Sequence, residues 1–495
     1  MKKNIQIAIL LLGALMFGTS CSEDTMDRLN LNVNNPYEAP TRFTLTDVMV
    51  RTAHSVVGSD LAFYSAVYIE HSVGIFGQMN GAEMRAGEPT AATTYNNSWN
   101  NIYLALRHLR TVIERSSPYG EEEGNYQSLG IAQILTAYNL AILTDLFGDV
   151  PWSEALQPGV IFAPRLDSQE SIYREIFRLL EEGIANLRRP ERLLFPGGLI
   201  GRQDLIYLGD DASWIRFAYG LKARYTMRLS HRTPNFANVI AFANNSFQNR
   251  YQEAKMEWNG TTAVSPFGRF FIDRNQLGAS QSLHNRLTDR NDPRNEIFFV
   301  PPRAGGNILF GVNGSPTAAQ NRYALSGLSI AGFTAAGAPI ANLTAPTFLM
   351  SYHELQFLVA EAHARLGNLT EARAALLRAI TAAFAKVNVR LSAQAAQDYF
   401  DSLANRLTTQ EDLLAEIMVQ KYLAFFEEEA IEAFNDIRRL KAKGENFIEL
   451  SHPGDFPLRF TYGSSDVITN VNVREAYGDG TYVFTEPVWW AGGRR

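Results

Sequence analysis

Asp145 and Asp149 are two carboxylates close enough in the sequence to suggest acid, base or metal chemistry. A glycosidase, for example, needs two carboxyl groups roughly 5 to 10 Å apart across a cleft. Gly148 lies between them and suits a helix C-terminus with a positive φ, and Pro151 cannot continue a helix. We therefore expect both carboxylates to accept hydrogen bonds from turn amides at the end of a helix.

His353 and Glu354, followed by His363, match part of a zinc-binding helix. The His-Glu-x-x-His pattern of zinc proteases needs its second histidine where this chain has Phe357. A metalloprotease is therefore not expected. Glu361 falls on a helix face predicted to be buried, and we expect it to pair with an arginine because a buried charge needs a partner.

Asp289, Asn291, Asp292 and Glu296 crowd one short segment and could bind calcium through their oxygen atoms. Their spacing differs from that of an EF-hand loop, and the glutamate at the twelfth position is absent. A turn is the preferred interpretation, with structural calcium as the alternative. No other cofactor is expected.

Cys21 is the single cysteine of the 495-residue chain, so it cannot form an intramolecular disulfide. The apolar run from Ile5 to Phe17 precedes it and is too short for a bilayer core that needs roughly 20 residues. Residues 1–20 are therefore interpreted as a signal peptide. The small residues before Cys21 resemble the lipobox of bacterial lipoproteins, which implies lipidation at Cys21. The acidic run Ser22-Glu23-Asp24 resembles the signal of surface-exposed lipoproteins.

Size and composition restrict the classes of protein that remain. The chain is 46% hydrophobic and 19% charged with a net charge of -6, which indicates a globular protein, and no basic patch for nucleic acid is visible. A single hydrophobic core rarely extends beyond about 250 to 300 residues, so we expect several layers or repeats in this chain. We divide the chain into a leader at residues 21–40 and one domain at residues 41–495.

Helices must position any site in this domain, because three apolar stripes recur at helical spacing. The stripes are Trp99, Ile102, Leu106, Leu109 and Ile113; Ile131, Leu135, Tyr138, Ile142 and Leu146; and Ile172, Ile176, Leu179, Leu180, Ile184 and Leu187. Two later helices are predicted to begin with capping boxes, at Ser351 with Glu354 and at Thr408 with Glu411. The fold class is therefore all-α.

Residues 360–372 have the pattern of a tetratricopeptide repeat, with small residues at a close helix crossing and Leu366-Gly367 at the turn. Stacked helix pairs of this kind can order a long chain without one oversized core. Residues 251–346 differ, being rich in Gly, Pro, Asn and aromatic residues. We predict an insertion of loops and β-hairpins there, including strands at Glu296 to Val300 and Asn307 to Val312.

Five strings along the chain resemble motifs of the SusD/RagB family, in its SusD-like, starch-binding branch. The order of these strings along the chain is more specific to the family than any single string is. The strings are Trp99 to Tyr103, Leu143 to Ala155, Asn291 to Arg294, Met350 to Ala362 and Phe425 to Leu440. The family's usual C-terminal string is altered here, at Arg459 to Gly463.

The resemblance implies a nutrient-binding lipoprotein of the outer membrane, facing the cell exterior and catalysing no reaction. Such a protein covers a SusC-like TonB-dependent transporter and passes it a nutrient, most often an oligosaccharide. A tetratricopeptide adaptor without a small-molecule site and a surface glycoside hydrolase remain as alternatives. The sequence leaves open which glycan, or whether a peptide, is the cargo.

Sugar binding requires aromatic rings that stack on C–H faces, beside amide or guanidinium donors for the hydroxyl groups. Trp258, in the insertion, is the first choice for such a ring. Core packing is the alternative for every aromatic residue. The full set of candidate ligand-binding residues is Trp258, Trp99, Phe76, Tyr95, Phe270 and Arg269.

Overall fold

The structure is a computed structural model that describes residues 39–190, 198–316, 322–387 and 391–495. Cys21, the signal peptide and nearly all of the leader lie outside the described residues, so their assignments stay predictions. From Thr41 to Arg495 the chain forms one compact unit. The all-α prediction is confirmed, since helices dominate and the strands are short.

The first half of the unit is a layer of antiparallel helices with two short strands after the longest of them. Its elements are α1 Thr41–Arg51, α2 Asp60–Tyr68, β1 Ser72–Gly74, α3 Gly77–Glu83, α4 Asn96–Ser116, α5 Tyr126–Phe147, β2 Val150–Pro151, β3 Leu166–Asp167, α6 Gln169–Leu187, α7 Asp211–Arg228 and α8 Phe236–Ala243.

The three predicted apolar stripes lie on α4, α5 and α6. Helix α5 is long and apolar enough to cross a membrane, but all of its 22 residues are buried inside the fold. It is therefore a core helix, packed between α4 and α6. Gly148 ends α5 with φ at 84°, as its position before Pro151 predicted.

Asp145 and Asp149 have different surroundings, and neither lies in a cleft. Asp149 accepts a hydrogen bond at 2.8 Å from the amide of Gln169, the first residue of α6. Asp145 is fully buried and pairs with Arg228, whose Nη1 lies 2.9 Å from the carboxylate. The partners are therefore a helix N-terminal amide for Asp149 and a buried arginine for Asp145, not the turn amides that were predicted.

The middle of the unit alternates short strands and short helices. Its elements are β4 Ala254–Met256, α9 Pro266–Asp273, β5 Leu277–Ala279, α10 Gln281–Thr288, α11 Asn295–Phe298, β6 Phe299–Val300, β7 Leu325–Ser326, β8 Ile330–Phe333 and β9 Pro339–Ala341. The predicted insertion of loops and hairpins is thus found. The predicted strand at Glu296 to Val300 is half helical, and Asn307 to Val312 forms no strand apart from an isolated bridge at Gly311.

The last part of the unit returns to helices. Its elements are β10 Thr347–Met350, α12 Tyr352–Arg365, α13 Leu369–Val387, α14 Ala393–Ser402, α15 Gln410–Ala424, α16 Ala430–Ala442, α17 Ser464–Thr469, α18 Val471–Tyr477 and α19 Tyr482–Thr485.

Helices α12 and α13 form the predicted tetratricopeptide-like pair. Gly367, in the turn between them, has φ at 79°, where a side chain would be strained. Ala360, Ala362 and Ala364 are fully buried, so small side chains let the two helices approach closely. Glu361 on the same helix pairs with Arg439, as predicted.

The two capping predictions had different outcomes. Ser351 caps α12 by accepting a hydrogen bond from the Glu354 amide at 3.2 Å. The Glu354 carboxylate does not return to the cap, because it pairs with the buried guanidinium of Arg224. At α15 the capping box is made by Thr409 and Asp412, one residue later than predicted.

All sheets among the described residues have two antiparallel strands. They pair β1 with β5, β2 with β3, β4 with β10, β6 with β7 and β8 with β9. In the first pair Ser72 lies opposite Ala279 and Gly74 opposite Leu277. We call this pair the β1–β5 ribbon. It joins the first helical layer to the insertion, and the candidate site lies beside it.

Candidate functional site

An open cleft of about 850 Å³ lies where α10, α15 and the loop after α16 meet. This volume is within the usual range of ligand pockets. Most of the residues that line it are polar and bring amide, guanidinium and carboxylate groups beside one aromatic ring. The side chains that line it include Gln281, Asn285, Arg286, Asp289, Arg290, Asn313, Asn446, Phe447 and Glu449.

A second hollow of about 380 Å³ adjoins the first. Asn446, Glu449 and Leu450 line both hollows, so the two hollows border the same loop. We call this loop, residues 446–456, and the two hollows the groove. The second hollow is also lined by Arg85, Lys441, His452, Asp455 and Phe456.

Hydrogen bonds fix several of the polar side chains of the first hollow. Arg290 donates to the Glu416 carboxylate, with Nε at 2.9 Å from one oxygen and Nη2 at 3.0 Å from the other. Gln281 donates to the Asn285 side chain at 2.7 Å. Because these groups are held before any ligand arrives, less conformational entropy is lost on binding.

Arg286 links the helical wall of the groove to its loop. Its guanidinium lies over the Tyr422 ring, 5.6 Å from the ring centroid. Its Nη2 donates to the carbonyl oxygen of Glu449 in the loop. Arg286 therefore holds the loop against α10 while standing at the edge of the cleft.

Each hollow contains one partly buried aromatic ring, Phe447 in the first and Phe456 in the second. Phe456 packs on Phe434 with ring centroids 5.5 Å apart. The Lys441 ammonium lies 5.2 Å from the centroid of the Phe456 ring. Rings supported in this way and surrounded by hydrogen-bonding groups match the requirements of sugar binding.

The structure corrects the assignment of three sequence candidates to a ligand site, because Trp99, Tyr95 and Trp258 are core residues. Trp99 is 0% exposed and donates through Nε1 to Asp466 at 2.6 Å. Tyr95 is also 0% exposed and stacks on Phe460, with ring centroids 4.1 Å apart. Their faces are covered by protein atoms and cannot stack on a sugar.

Trp258, the first choice from the sequence, is 5% exposed. Its Nε1 donates to the Thr347 hydroxyl at 3.0 Å, and its ring meets the His54 ring edge to face with centroids 5.7 Å apart. Strand β4 ends just before Trp258 and pairs with β10, which places the ring inside the fold. Trp258 therefore packs in the core.

The other three sequence candidates come from two segments: Phe76 follows β1, and Arg269 and Phe270 lie on α9. The Ile75 amide donates to the Gln276 carbonyl at 2.9 Å, which brings the residue after β1 to the end of α9. Phe76 is 54% exposed. Phe270 is partly buried against Phe63, and Arg269 is exposed and paired with an acid on its own helix.

The cavity beside these residues holds only about 40 Å³. The first hollow of the groove, at about 850 Å³, is far larger, so this cavity leaves much less room for a sugar ring. Glu427 lines it, and burial raises the pKa of that carboxyl to about 8. The end of the ribbon therefore offers an exposed ring, Phe76, but no enclosed site, and the groove is the better candidate.

The candidate calcium loop is occupied by ion pairs. Asp292 is fully buried and bound by the guanidinium of Arg294. Asp289 pairs with Arg290 and Arg406 at 3.4 Å and 2.9 Å. In the described ranges no group of three His, Cys, Asp or Glu side chains is arranged to hold a metal ion. Binding of a structural calcium ion at this loop stays a prediction.

Most of the groove was missed in the sequence because its parts are far apart along the chain. Asn285, Asn313 and Asn446 come from three separate segments that only the fold brings together. One signal was available: residues 444–456 follow a long helix and are rich in Gly, Asn, Pro and Phe. A loop of this length and composition after a rigid helix is a common position for binding residues.

The fold and groove define a helical binding protein, and comparison with known proteins identifies its family. Residues 34–462 match the SusD-like family model described as starch-binding and associating with the outer membrane. A SusD/RagB family protein from Bacteroides thetaiotaomicron VPI-5482 is 38% identical, with a TM-score of 0.81 over 92% of this chain and 100% of that chain. This chain therefore belongs to the SusD/RagB family, which confirms the resemblance, and its class is that of carbohydrate-binding, outer-membrane nutrient proteins.

Two more distant structures share the fold. A chitin-binding protein is 22% identical, with a TM-score of 0.69 over 91% of this chain and 99% of that chain. A chitin-binding SusD homolog from Flavobacterium johnsoniae is 17% identical, with a TM-score of 0.70 over 91% of this chain and 98% of that chain. Comparison with curated proteins found no match.

Proposed function

We propose that this protein is a surface-exposed lipoprotein that binds an oligosaccharide in the groove and delivers it to a SusC-like TonB-dependent transporter. The observation that carries the proposal is the groove itself, in which Phe447 and Phe456 stand among amide, guanidinium and carboxylate groups. Hydroxyl groups of a sugar pair well with such planar donors and acceptors, and rings cover its C–H faces. Cys21, as the lipidated residue, would supply the attachment to the outer membrane.

The charges of the groove favour a neutral glycan. Arg286 and Arg290 in the first hollow are accompanied by Asp289 and Glu449, so positive and negative groups are balanced. A strongly anionic ligand would need an excess of arginine or lysine. Starch and chitin oligosaccharides are neutral and match this balance.

The two alternative classes have less support. A glycoside hydrolase needs an accessible pair of carboxyl groups. Asp145 is buried in an ion pair. Of the carboxylates at the first hollow, Glu416 is bound by Nε and Nη2 of Arg290, and Asp289 pairs with Arg290 and Arg406. A tetratricopeptide adaptor would need the helix pairs but not the polar groove that the insertion and the loop after α16 create.

A glycan array with the purified protein tests the proposed function. We expect retention of neutral oligosaccharides, with α-glucan and chitin fragments as the first candidates. Peptide mixtures, applied in parallel, are expected not to bind. Retention of peptides and of no glycan would contradict the proposal and point to a different nutrient.

Phe447→Ala is expected to weaken oligosaccharide binding by roughly 1 to 3 kcal/mol, the loss typical of a central aromatic contact. Isothermal titration calorimetry with a glycan retained on the array measures this change. Phe162→Ala is the matched control, because Phe162 is 81% exposed and lies outside the groove. Equal affinities for the wild type and the Phe447 variant would remove the first hollow from the site.

A further inference from the structure

Glu83, the last residue of α3, is fully buried beside the groove although it does not line it. Its two carboxylate oxygens accept hydrogen bonds from different segments. The Gly74 amide, at the end of β1, donates to one oxygen at 2.8 Å. The Gly314 amide, in the insertion, donates to the other at 2.6 Å. The Asn313 side chain, which lines the first hollow, donates at 3.2 Å.

The same residue also contacts the second hollow, through His452. The His452 Nε2 lies 2.6 Å from the Glu83 carbonyl oxygen, and the Gly454 amide lies 2.9 Å from Nδ1. A carbonyl only accepts and an amide N–H only donates, so His452 is the neutral tautomer with its proton on Nε2. Burial and the charge of Arg85 lower the pKa of His452, which agrees with a neutral ring.

A second buried carboxylate supports the same loop. Glu70 accepts a hydrogen bond from the His452 amide at 2.6 Å and another from the Ser451 hydroxyl at 3.0 Å. Glu70 and Glu83 therefore attach residues 451–452 to the layer formed by α2, β1 and α3. Through Glu83 the attachment extends to residues 313–314 on the other side of the groove.

We propose that Glu83 is a positioning residue for the groove. Its ionised carboxylate binds residues 313–314 and its main-chain carbonyl binds His452, which holds the segments at residues 311–316 and 451–456 in the spacing that a bound oligosaccharide requires. The part of this inference that concerns ligand affinity rests on the proposed function. The part that concerns the two segments does not, because it follows from hydrogen bonds within the protein alone.

The charge on Glu83 decides how many amides it can accept. An ionised carboxylate offers both oxygens, whereas a protonated one must use one oxygen as a donor and loses an amide partner. Burial raises the pKa of Glu83 to about 7, although the hydrogen bonds from Gly74 and Gly314 act in the opposite direction and lower it. The other charged or titratable groups near it are Arg85, His452 and Glu70. The spacing of the segments is therefore expected to loosen as the pH falls through about 7.

The contribution of Glu83 to global stability is expected to change with pH in the opposite direction, falling as the pH rises. A raised pKa in the folded protein means that folding favours the protonated form. The contribution of Glu83 to stability is thus greatest below about 4.5, its ordinary pKa, and is lost as the pH rises through about 7. Tightening of the segments with rising pH would therefore run against the contribution that Glu83 itself makes to global stability.

Hydrogen–deuterium exchange on Glu83→Gln tests the proposal without any ligand. A glutamine oxygen can accept from one segment only, and its amide group would face the N–H of the other. We expect exchange about tenfold faster in residues 72–75 or in residues 311–316, the two segments whose amides the carboxylate binds, which is the change that follows loss of one hydrogen bond to a charged group. Residues 451–456 keep the Glu83 main-chain carbonyl and Glu70 as partners. Glu122→Gln is the matched control, because Glu122 is also buried and accepts from the Thr41 amide at 2.8 Å.

Titration with maltoheptaose and with chitohexaose completes the experiment. For a glycan that the wild type binds, we expect Glu83→Gln to bind about tenfold more weakly and with a flatter pH profile, and Glu122→Gln to bind as the wild type does. If the wild type binds neither glycan, the proposed function fails for these ligands, and the exchange data still decide the role of Glu83. Wild-type exchange rates in both residues 72–75 and residues 311–316 of Glu83→Gln would overturn the inference.

If Glu83→Gln does not fold, the wild type alone gives the answer. Exchange in residues 72–75 and 311–316, which the Glu83 carboxylate binds, is expected to slow between about pH 6 and about pH 8 once corrected for intrinsic rates, because the pKa of Glu83 is about 7. The segment at Thr41, held by Glu122, serves as the internal reference. Equal pH dependence in all three segments would overturn the inference.

Discussion

Trp258→Ala is expected to lower the free energy of unfolding by about 3 to 5 kcal/mol while leaving oligosaccharide affinity unchanged. The ring is 5% exposed, packs edge to face against His54 and donates a hydrogen bond to Thr347. Alanine removes these contacts and leaves a cavity that the surrounding strands fill only partly. Denaturant unfolding and calorimetry on the same variant measure the two quantities.

Tyr251→Ala provides the comparison for Trp258→Ala. Tyr251 is 82% exposed and lies in the same region of the chain, so its removal is expected to change stability by no more than about 0.5 kcal/mol. A Trp258 variant with unchanged stability and weakened glycan binding would contradict the structure. That outcome would return the tryptophan to the ligand site.

Arg439→Ala is expected to cost about 3 to 5 kcal/mol of stability, because it leaves a buried carboxylate without its main partner. Both Nη atoms of Arg439 lie 2.7 Å from the two oxygens of Glu361, and both side chains are 0% exposed. Burial alone raises the pKa of Glu361, but Arg439 and Arg365 together lower it well below its ordinary value.

The pH dependence of this loss has a definite sign. A carboxyl with a lowered folded pKa contributes stability above its ordinary pKa, near 4.5, and loses that contribution as the pH falls further. The difference between the wild type and Arg439→Ala should therefore be largest near neutral pH and shrink below about 4.5. Thermal unfolding across this range measures it.

A double variant separates the cost of an unpaired charge from the value of the ion pair. Glu361→Met with Arg439→Met replaces both charges by apolar side chains and is expected to recover most of the stability, since apolar replacements of buried pairs are often neutral. Asp436 also contacts Arg439, at 3.0 Å, and remains paired with Lys421. A double variant as unstable as Arg439→Ala would show that packing, not charge, dominates at this position.

Local sequence patterns predicted the helical part of the fold well. The stripes on α4, α5 and α6, the positive φ of Gly148, the turn at Gly367, and the pairing of Glu361 with an arginine all depend on neighbours close in sequence or on a general requirement of burial. The capping box at α15 was displaced by one residue because Thr408 and Thr409 both satisfy the same pattern.

The site was less predictable, for a physical reason. Whether an aromatic residue lies in the core or faces a ligand depends on which strands and helices cover it, and that is a property of distant contacts. Trp258 is covered through the pairing of β4 with β10, and Trp99 through its contact with Asp466. Phe447 is left partly exposed because the loop after α16 has no further layer over it.

The central claim, that an oligosaccharide binds along residues 446–456, is tested most directly by hydrogen–deuterium exchange of the wild type with and without a glycan that the array retains. We predict slower exchange on binding in residues 446–456 and in α10, where Gln281, Asn285 and Arg286 line the first hollow. Protection confined to residues 267–277, at the end of the β1–β5 ribbon, would contradict the claim and place the ligand beside Phe76 and Phe270.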